Sequence, residues 1–336
     1  MTPILDVLDG GLLTTVQDAG RPDWAHVGVP ESGAADPMSL AIANLLAGNA
    51  VDAATLELTL VGPTLAIRRP VTIALAGADL GGRLRGGRRL ATGRAHRLEA
   101  GDVIEFPGGD PETATTTGAR AYLAIPGGVD VPIVLGSRST CLAGGFGGLD
   151  GRALRPGDSV AAGGDDRPNG HRSELAWPDE DWPRADAGAS VDVRVLGGPD
   201  ADDLLDALTS REWHVGTAAD RVGLRLECDS LPDDLGGEAL TSGVAWGTIQ
   251  LPPDGRPIVL GPDHQTTGGY RIVGVVPVAD RPVLGQLRPG ATVRFVATDR
   301  AAALAALRAQ RDVLDAGAAA IRDAEAWHAL AHAAGG

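Results

Sequence analysis

Hydrophobic positions cluster in short runs along most of the chain. TLELTLVG (55–62), PVTIALAGADL (70–80), GDVIEF (101–106), ARAYLAIPGGVD (119–130), SVDVRVLGGP (190–199), VGLRLEC (222–228), GTIQLP (247–252) and PIVLG (257–261) are rich in Val, Ile, Leu and Thr. Each is closed by Gly, Pro or Asp and has the length of a strand, and branched side chains suit a pleated surface. LPPDGRPIV (251–259) sets Asp254-Gly255 between two such runs, which predicts a hairpin. Short strands with closely spaced turn signals favour a barrel or sandwich over an alternating α/β sheet.

Two regions follow the helical period instead. In DPMSLAIANLLAGN (36–49), Met38, Ala41, Ile42, Leu45 and Leu46 form one apolar face. Asp36 suits the N-cap, Pro37 the first turn and Gly48 the C-terminal cap. The second region is C-terminal and Ala-rich: TDRAAALAALRAQRDVLDAG (298–317), then AAAIRDAEAWHALAHA (318–333), with a break expected at Gly317. It reads as a packing appendage.

An internal echo recurs: LEAGDVIEF from Leu98, LRPGDSVAA from Leu154 and LRPGATVRF from Leu287. Each places Leu three residues before a turn Gly and opens a strand with an apolar residue three after it. Local turn chemistry alone would account for this, but its presence in both halves leans toward two related β domains. WPDEDWPRADAGAS (177–190) breaks all periodicity and reads as a linker. A β domain over 1–176, a second over 191–298 and a helical extension over 299–336 follow. One domain with a single long loop is the alternative.

Composition narrows the functional classes. The chain has 336 residues, with 43% hydrophobic content and 48 Gly, enough for two cores joined by many turns. A net charge of -15 argues against nucleic-acid and anionic-membrane partners. All 29 basic residues are Arg; without lysine there is no Walker-type phosphate Lys, Schiff base or biotin attachment on this chain. The two cysteines, Cys141 and Cys228, form no CxxC or Cys/His cluster, so no metal site is expected. MTPILDVLDGG lacks the basic and apolar regions of a signal peptide, and no run reaches the ~20 apolar residues of a membrane span. A cytoplasmic location is expected.

Three polar stretches are candidates for chemistry. TTVQDAGRPDWAHVGVPESGAADP (14–37) carries Gln17, Asp18, Arg21, His26, Ser32 and Asp36 in a segment with little secondary-structure signal. Asp36 is read as a cap; for Gln17, Asp18 and Arg21 a turn ion pair and a binding role are both consistent with the sequence. GSRSTCLAGGFGGLDGR (136–152) would bind an anion through Arg138 and backbone amides, or act as a lid or plain connector. GPDHQTTGGY (261–270), following Gln250 and Asp254, offers His264 as a proton carrier, against a structural histidine in a turn. It lacks the lysine and following helix of a P-loop.

Taken in order, TTVQDAGRPDWAHVGVPESGAADPMSLAIANLLAGN, SRSTCLAGGFGGLDGRALRPGD, DRVGLRL, IQLPPDGRPIVLGPDHQTTGGY and LGQLRPGATVRF resemble the biotin-dependent carboxyltransferase / allophanate hydrolase subunit 2 family over residues 3–297. The family includes 5-oxoprolinase and KipI-antagonist proteins. The resemblance implies a mainly β chain of tandem cyclophilin-like β-barrel domains, with a short helix in the N-terminal half and C-terminal helices. It also implies a heteromer with a subunit 1 homologue (the B-type partner), joined in 5-oxoprolinase by a third subunit, with the active site shared. The implied reaction is ATP-dependent opening of 5-oxoproline to glutamate, with ATP and Mg2+ held in the assembled complex and the chain inactive alone. Carboxyl transfer of the urea carboxylase kind, which needs a biotinylated partner here, and regulatory binding of a KipI-like protein are the alternatives.

Residue by residue, the resemblance marks Asp18 and Arg21, which are expected to be catalytic together with His264, read as a proton carrier from its own chemistry. It implies substrate contacts from Gln17, Ser32, Gln250, Asp254, Gln265, Thr266, Thr267, Gly268, Gly269 and Tyr270. Arg21 would face an anionic group, and the amide, Thr and Gly residues would orient substrate. His264 is a departure, since Arg is common there, and GGYRIVGVV lacks the family's usual Pro after the Tyr.

Overall fold

A computed structural model describes residues 3–109, 118–163, 172, 175–178, 190–228 and 236–335. The chain is mainly β, as its sequence pattern predicts, and each sheet draws its strands from one half of the chain. In the first half, one sheet runs β10 (Ser159–Ala161), β1 (Pro3–Asp9), β4 (Thr64–Ile67), β8 (Val103–Glu105), β6 (Arg83–Leu84). The other runs β2 (Leu13–Gln17), β3 (Thr55–Thr59), β9 (Arg120–Ala124), β5 (Val71–Gly77), β7 (Arg94–Leu98).

Strand β5 explains how the layers stack. Its residues are buried on both faces, but alternate in size. Val71, Ile73 and Leu75 enter the core shared with Ile4, Leu65 and Ile104, whereas Ala74 and Ala76 face Met38, Ile42 and Leu46 of α1 (Pro37–Ala47). Large residues fill the space between strands, and alanines let a helix approach. The expected caps of α1 are present: Asp36 accepts from Ser39 N at 2.9 Å, and Gly48 adopts φ 83°.

The second half closes into a barrel. Its order is β11 (Ser190–Gly197), β18 (Thr292–Ala297), β12 (Glu212–Val215), β13 (Gly223–Glu227), β16 (Ile258–Leu260), β15 (Thr248–Leu251), β17 (Thr267–Val275), and β17 returns to β11 through Leu196–Val275 and Gly197–Gly274. Val193, Val195, Trp213, Ile249, Val273 and Phe295 fill it, and α2 (Ala201–Thr209) adds Leu204 and Leu208. β14 (Glu238–Gly243) lies outside the closure, paired with the first residues of β17. The predicted hairpin at Asp254-Gly255 joins β15 to β16. The three echoed turns hold as local chemistry: Gly101, Gly157 and Gly290 have φ of 93°, 91° and 84°, and β8, β10 and β18 follow.

Several expectations need correction. Residues 14–17 are not loop but β2, and Thr267–Tyr270 open β17. Short polar or Gly-rich ends hid their period of two. The helices α2 and α3 (Arg281–Gln286) also lie in stretches without a long helical period. No break occurs at Gly317, because α4 runs from Arg300 to Gly335. There the glycine serves a contact: a Cβ would stand 2.1 Å from Cη2 of Trp177. Arg172 ties the same helix down, donating to the carbonyls of Leu45 and Leu46 at the end of α1 and pairing with Glu325. Of the expected linker 177–190, residues 179–189 lie outside the described residues. No helix among the described residues is long and apolar enough to cross a membrane.

Candidate functional site

Gln17 ends β2, where its carboxamide nitrogen donates to Thr15 Oγ1 at 3.0 Å and to the Thr140 carbonyl at 3.3 Å. The next residue anchors the 136–152 segment. Asp18 Oδ1 accepts from Gly20 N at 2.8 Å, from Ser137 Oγ at 2.6 Å and from Ser139 Oγ, while Oδ2 accepts from Arg138 N. A carboxylate with both oxygens engaged holds structure, and the segment it holds is a tied connector.

Arg21 is 2% exposed. It donates from Nη2 to the Ser139 carbonyl, and its guanidinium lies 5.1 Å from the Phe146 ring centroid. Burial lowers its pKa below the ordinary arginine value. Nη1 is buried without a hydrogen-bond partner among the described residues. Gln17 Oε1, Ser32 Oγ and Gln250 Nε2 share that condition. Buried polar atoms in folded proteins are nearly always satisfied, so four orphans among the expected binding residues mark places where a ligand, a water or another chain completes the set.

The segment of Arg21 and Ser32 touches a second one, 261–266, from which Gln265 reaches Gln250. Ser32 sits at φ 54°, a conformation costly for a residue with a Cβ, and its N–H donates to the Pro262 carbonyl at 2.9 Å. The N–H of Arg21 binds Glu31 O at 2.7 Å, closing the first segment on itself. In the second, His264 is buried, and its Nδ1–H donates to the Gln265 carbonyl at 2.5 Å, leaving Nε2 as the lone-pair nitrogen. Burial, only partly offset by the hydrogen bond to the Gln265 carbonyl and by Glu31, lowers its pKa below the usual imidazole value. Gln265 Nε2 reaches Gln250 Oε1 at 3.4 Å.

Beyond the contact, the residues disperse. Thr267 and Tyr270 are exposed on the β14–β17 ribbon, where Gly243 pairs with Thr267, Ser242 with Gly268 and Glu238 with Tyr270. Thr266 accepts from Val244 N through its carbonyl, and Gly269 is half-buried beside Ala239. Asp254 stands exposed at the hairpin tip, where Oδ1 accepts from Arg256 N at 3.1 Å. His26 is exposed on a short turn of 3-10 helix over Pro22–Val27. A cavity of about 390 Å³ lies between α1, α4 and Trp246, and Asp18 is the one expected site residue lining it.

A buried polar cluster beneath the contact was not anticipated. Arg221 donates to Asp263 (Nε–Oδ2 2.7 Å, Nη2–Oδ1 3.1 Å), to Glu57 Oε1 at 2.5 Å and to the Gly33 carbonyl at 2.7 Å. Glu57 Oε2 accepts from Tyr122 Oη at 2.7 Å and Ala35 N at 2.8 Å. Burial raises the Glu57 pKa, but Arg221 and Arg120 outweigh it and hold the carboxyl below its ordinary value. Gln286 of α3 receives Ala119 N and Arg120 N, each at 3.1 Å, and donates to Asp36 Oδ2 at 2.6 Å. The cluster bridges the two halves. The available signal was a lone Glu57 or Arg120 inside an apolar strand, and Arg221 and Gln286 within the DRVGLRL and LGQLRPGATVRF motifs.

This mainly β architecture, with a closed barrel in its second half, is shared with carboxyltransferase-type domains. The chain belongs to the carboxyltransferase domain family, subdomains A and B, which it matches over residues 27–297; α4 lies beyond that match. It is 34% identical over 315 residues to the C subunit of 5-oxoprolinase from Escherichia coli (strain K12), covering 92% of this chain and 96% of that protein. It is 29% identical over 305 residues to the urea amidolyase of Saccharomyces cerevisiae, covering 85% of this chain and 16% of that one. Among crystal structures, TTHA0988 is similar with TM-score 0.76 at 35% identity, covering 88% of this chain and 55% of that chain. The K. lactis urea amidolyase gives TM-score 0.78 at 27% identity, with 94% and 20% covered. The chain thus spans nearly all of the E. coli protein but about half of TTHA0988.

Proposed function

We propose that the chain is the C subunit of a heteromeric, cytoplasmic 5-oxoprolinase, which converts 5-oxo-L-proline, ATP and water to L-glutamate, ADP and phosphate. Similarity to the E. coli protein over nearly the full length of both supports this reading. The observation that carries it is the set of orphaned atoms on Gln17, Arg21, Ser32 and Gln250; the Ser32–Pro262 hydrogen bond joins the segment of Ser32 to the one whose Gln265 reaches Gln250.

Arg21 Nη1 is suited to an anionic group, and the amide and hydroxyl groups to orienting a small polar substrate. Asp18 is assigned to positioning, because its oxygens are engaged, and His264 Nε2 remains the candidate proton carrier. Gln265, Thr266, Thr267, Gly268, Gly269 and Tyr270 line the approach to Gln250 and the face toward a partner.

Neither a clustered metal site nor a phosphate cradle stands out among the described residues. Among the described residues no group of three His, Cys, Asp or Glu could hold a metal ion. The Gly-rich 261–270 stretch enters strand β17 rather than the helix a phosphate cradle needs. As part of the same proposal, ATP and Mg2+ are assigned to the assembled complex, and the chain alone is expected to be inactive.

The urea amidolyase relatives favour a second reading, carboxyl transfer from a biotinylated partner. Co-expression with a subunit 1 homologue and the third 5-oxoprolinase subunit separates the two. Release of ADP and glutamate from 5-oxoproline supports the first. Carboxylation of urea that appears only with a carrier charged as carboxybiotin supports the second.

A further inference from the structure

Arg221 acts on loops rather than on either core. Each half has its own apolar core, and Arg221 belongs to neither. It clamps the carboxylate of Asp263, on the second segment, and the carbonyl of Gly33, on the first. Its third partner, Glu57, uses its other oxygen to hold Ala35 N, again on the first segment. The backbone repeats the link: Asp263 N donates to the Arg221 carbonyl at 3.0 Å, and Gly261 N to Val222 O at 2.9 Å. Ser32 N to Pro262 O is then the contact that this frame brings into register.

We propose that Arg221 is a positioning residue, the strut that sets the 31–36 segment, which bears the orphaned hydroxyl of Ser32, against the 261–266 segment, which bears His264 and Gln265. Its catalytic consequence rests on the 5-oxoprolinase reading; the positioning itself does not. Arg suits the role because one planar fork addresses three acceptors in fixed directions, whereas lysine offers a point charge on a flexible stem. A buried counter-charge would need only the charge, and a strut needs the fork.

The test compares R221M and R221K, each in the full chain assembled with its partner subunits. If Arg221 is the strut, R221K regains thermal stability relative to R221M, while its kcat stays about 10- to 100-fold below wild type, the size of loss a small misplacement causes. Return of both stability and kcat to wild-type values in R221K would overturn the proposal and leave a simple buried counter-charge.

Hydrogen exchange on the full chain reads the same point without activity, using D263N. The strut predicts faster exchange in 31–36 and 261–266 together, with the β18 amides unchanged. Faster exchange throughout the barrel, or in 261–266 alone, contradicts it. D158N, which breaks the separate Arg152–Asp158 pair, serves as the control and leaves both segments unchanged. If the wild-type assembly shows no turnover of 5-oxoproline, the functional reading fails, and the exchange experiment still decides the role of Arg221.

Discussion

Gln250 and Gly268 occupy each other's space: a Cβ on Gly268 would lie 2.1 Å from the Gln250 carboxamide nitrogen. The strand glycine is there because a buried amide on the neighbouring strand needs to pass over it. That nitrogen has no hydrogen-bond partner among the described residues, so the glycine clears a path for a donor held ready.

Replacing Gly268 with Ala is expected to displace Gln250 rather than the backbone. Stability should fall by about 1 kcal/mol, and kcat/KM of the assembly by about tenfold or more. Adding Gln250→Ala removes the clash, so the double variant should melt near wild type yet stay impaired. A double variant with restored activity would show that the amide serves packing alone.

Arg21 Nη1 has no partner among the described residues, while Nη2 and the Phe146 face hold the guanidinium in place. Arg21→Lys keeps the charge but loses the fork. A fall in kcat/KM of about 10- to 100-fold is expected, equal to about 1.4–2.8 kcal/mol. Unchanged steady-state kinetics would remove Arg21 from the substrate site.

His264 and His96 are both buried, and burial lowers both pKa values below the usual imidazole value. The unfolded chain therefore binds protons before the folded one as pH falls. Their stabilising effect is complete above about pH 6.5 and is lost as pH drops toward the folded values, by up to about 1.4 kcal/mol per pH unit for each. Melting temperature measured from about pH 7.5 to about pH 5.5 should decline, and His264→Asn should flatten the decline. An identical slope in the variant would mean that His264 binds its proton equally in the folded and unfolded chain, and would contradict the lowered pKa.

Gly317→Ala tests the seating of α4. Helix propensity alone would favour alanine by about 1 kcal/mol. The Trp177 ring occupies the Cβ position, and overpacking of this kind costs about 1–3 kcal/mol. A net loss of thermal stability is expected, and a gain would contradict the contact.

The sequence shows features whose cause is local. Alternating apolar strands, the Asp36 and Gly48 caps and the left-handed turns at Gly101, Gly157 and Gly290 are all set by neighbours in the chain. Gly317 reads as a helix end until Trp177, distant in sequence, is known to lie on it. The Gly-Gly pair at 268–269 conceals a strand because it removes the side chains that display alternation. Within the site, Gln17, Arg21, Ser32, Gln250 and Gln265 were legible through the order of their motifs, and the fold joins the segments bearing them. Arg221 and Glu57 were not, since the glutamate lies 164 positions from the guanidinium that neutralises it. A lone Glu57 inside an apolar strand hints at burial, but no local pattern tells which distant cation meets it.

The central claim is best tested by the rate of glutamate release from 5-oxoproline by the chain assembled with its subunit 1 homologue and the third 5-oxoprolinase subunit, with ATP and Mg2+ supplied. Stoichiometric ADP and glutamate, absent when the chain is omitted and strongly reduced with Arg21→Lys, is the predicted result. No glutamate from the full assembly, with urea carboxylation appearing once a carrier already charged as carboxybiotin is added, would contradict it.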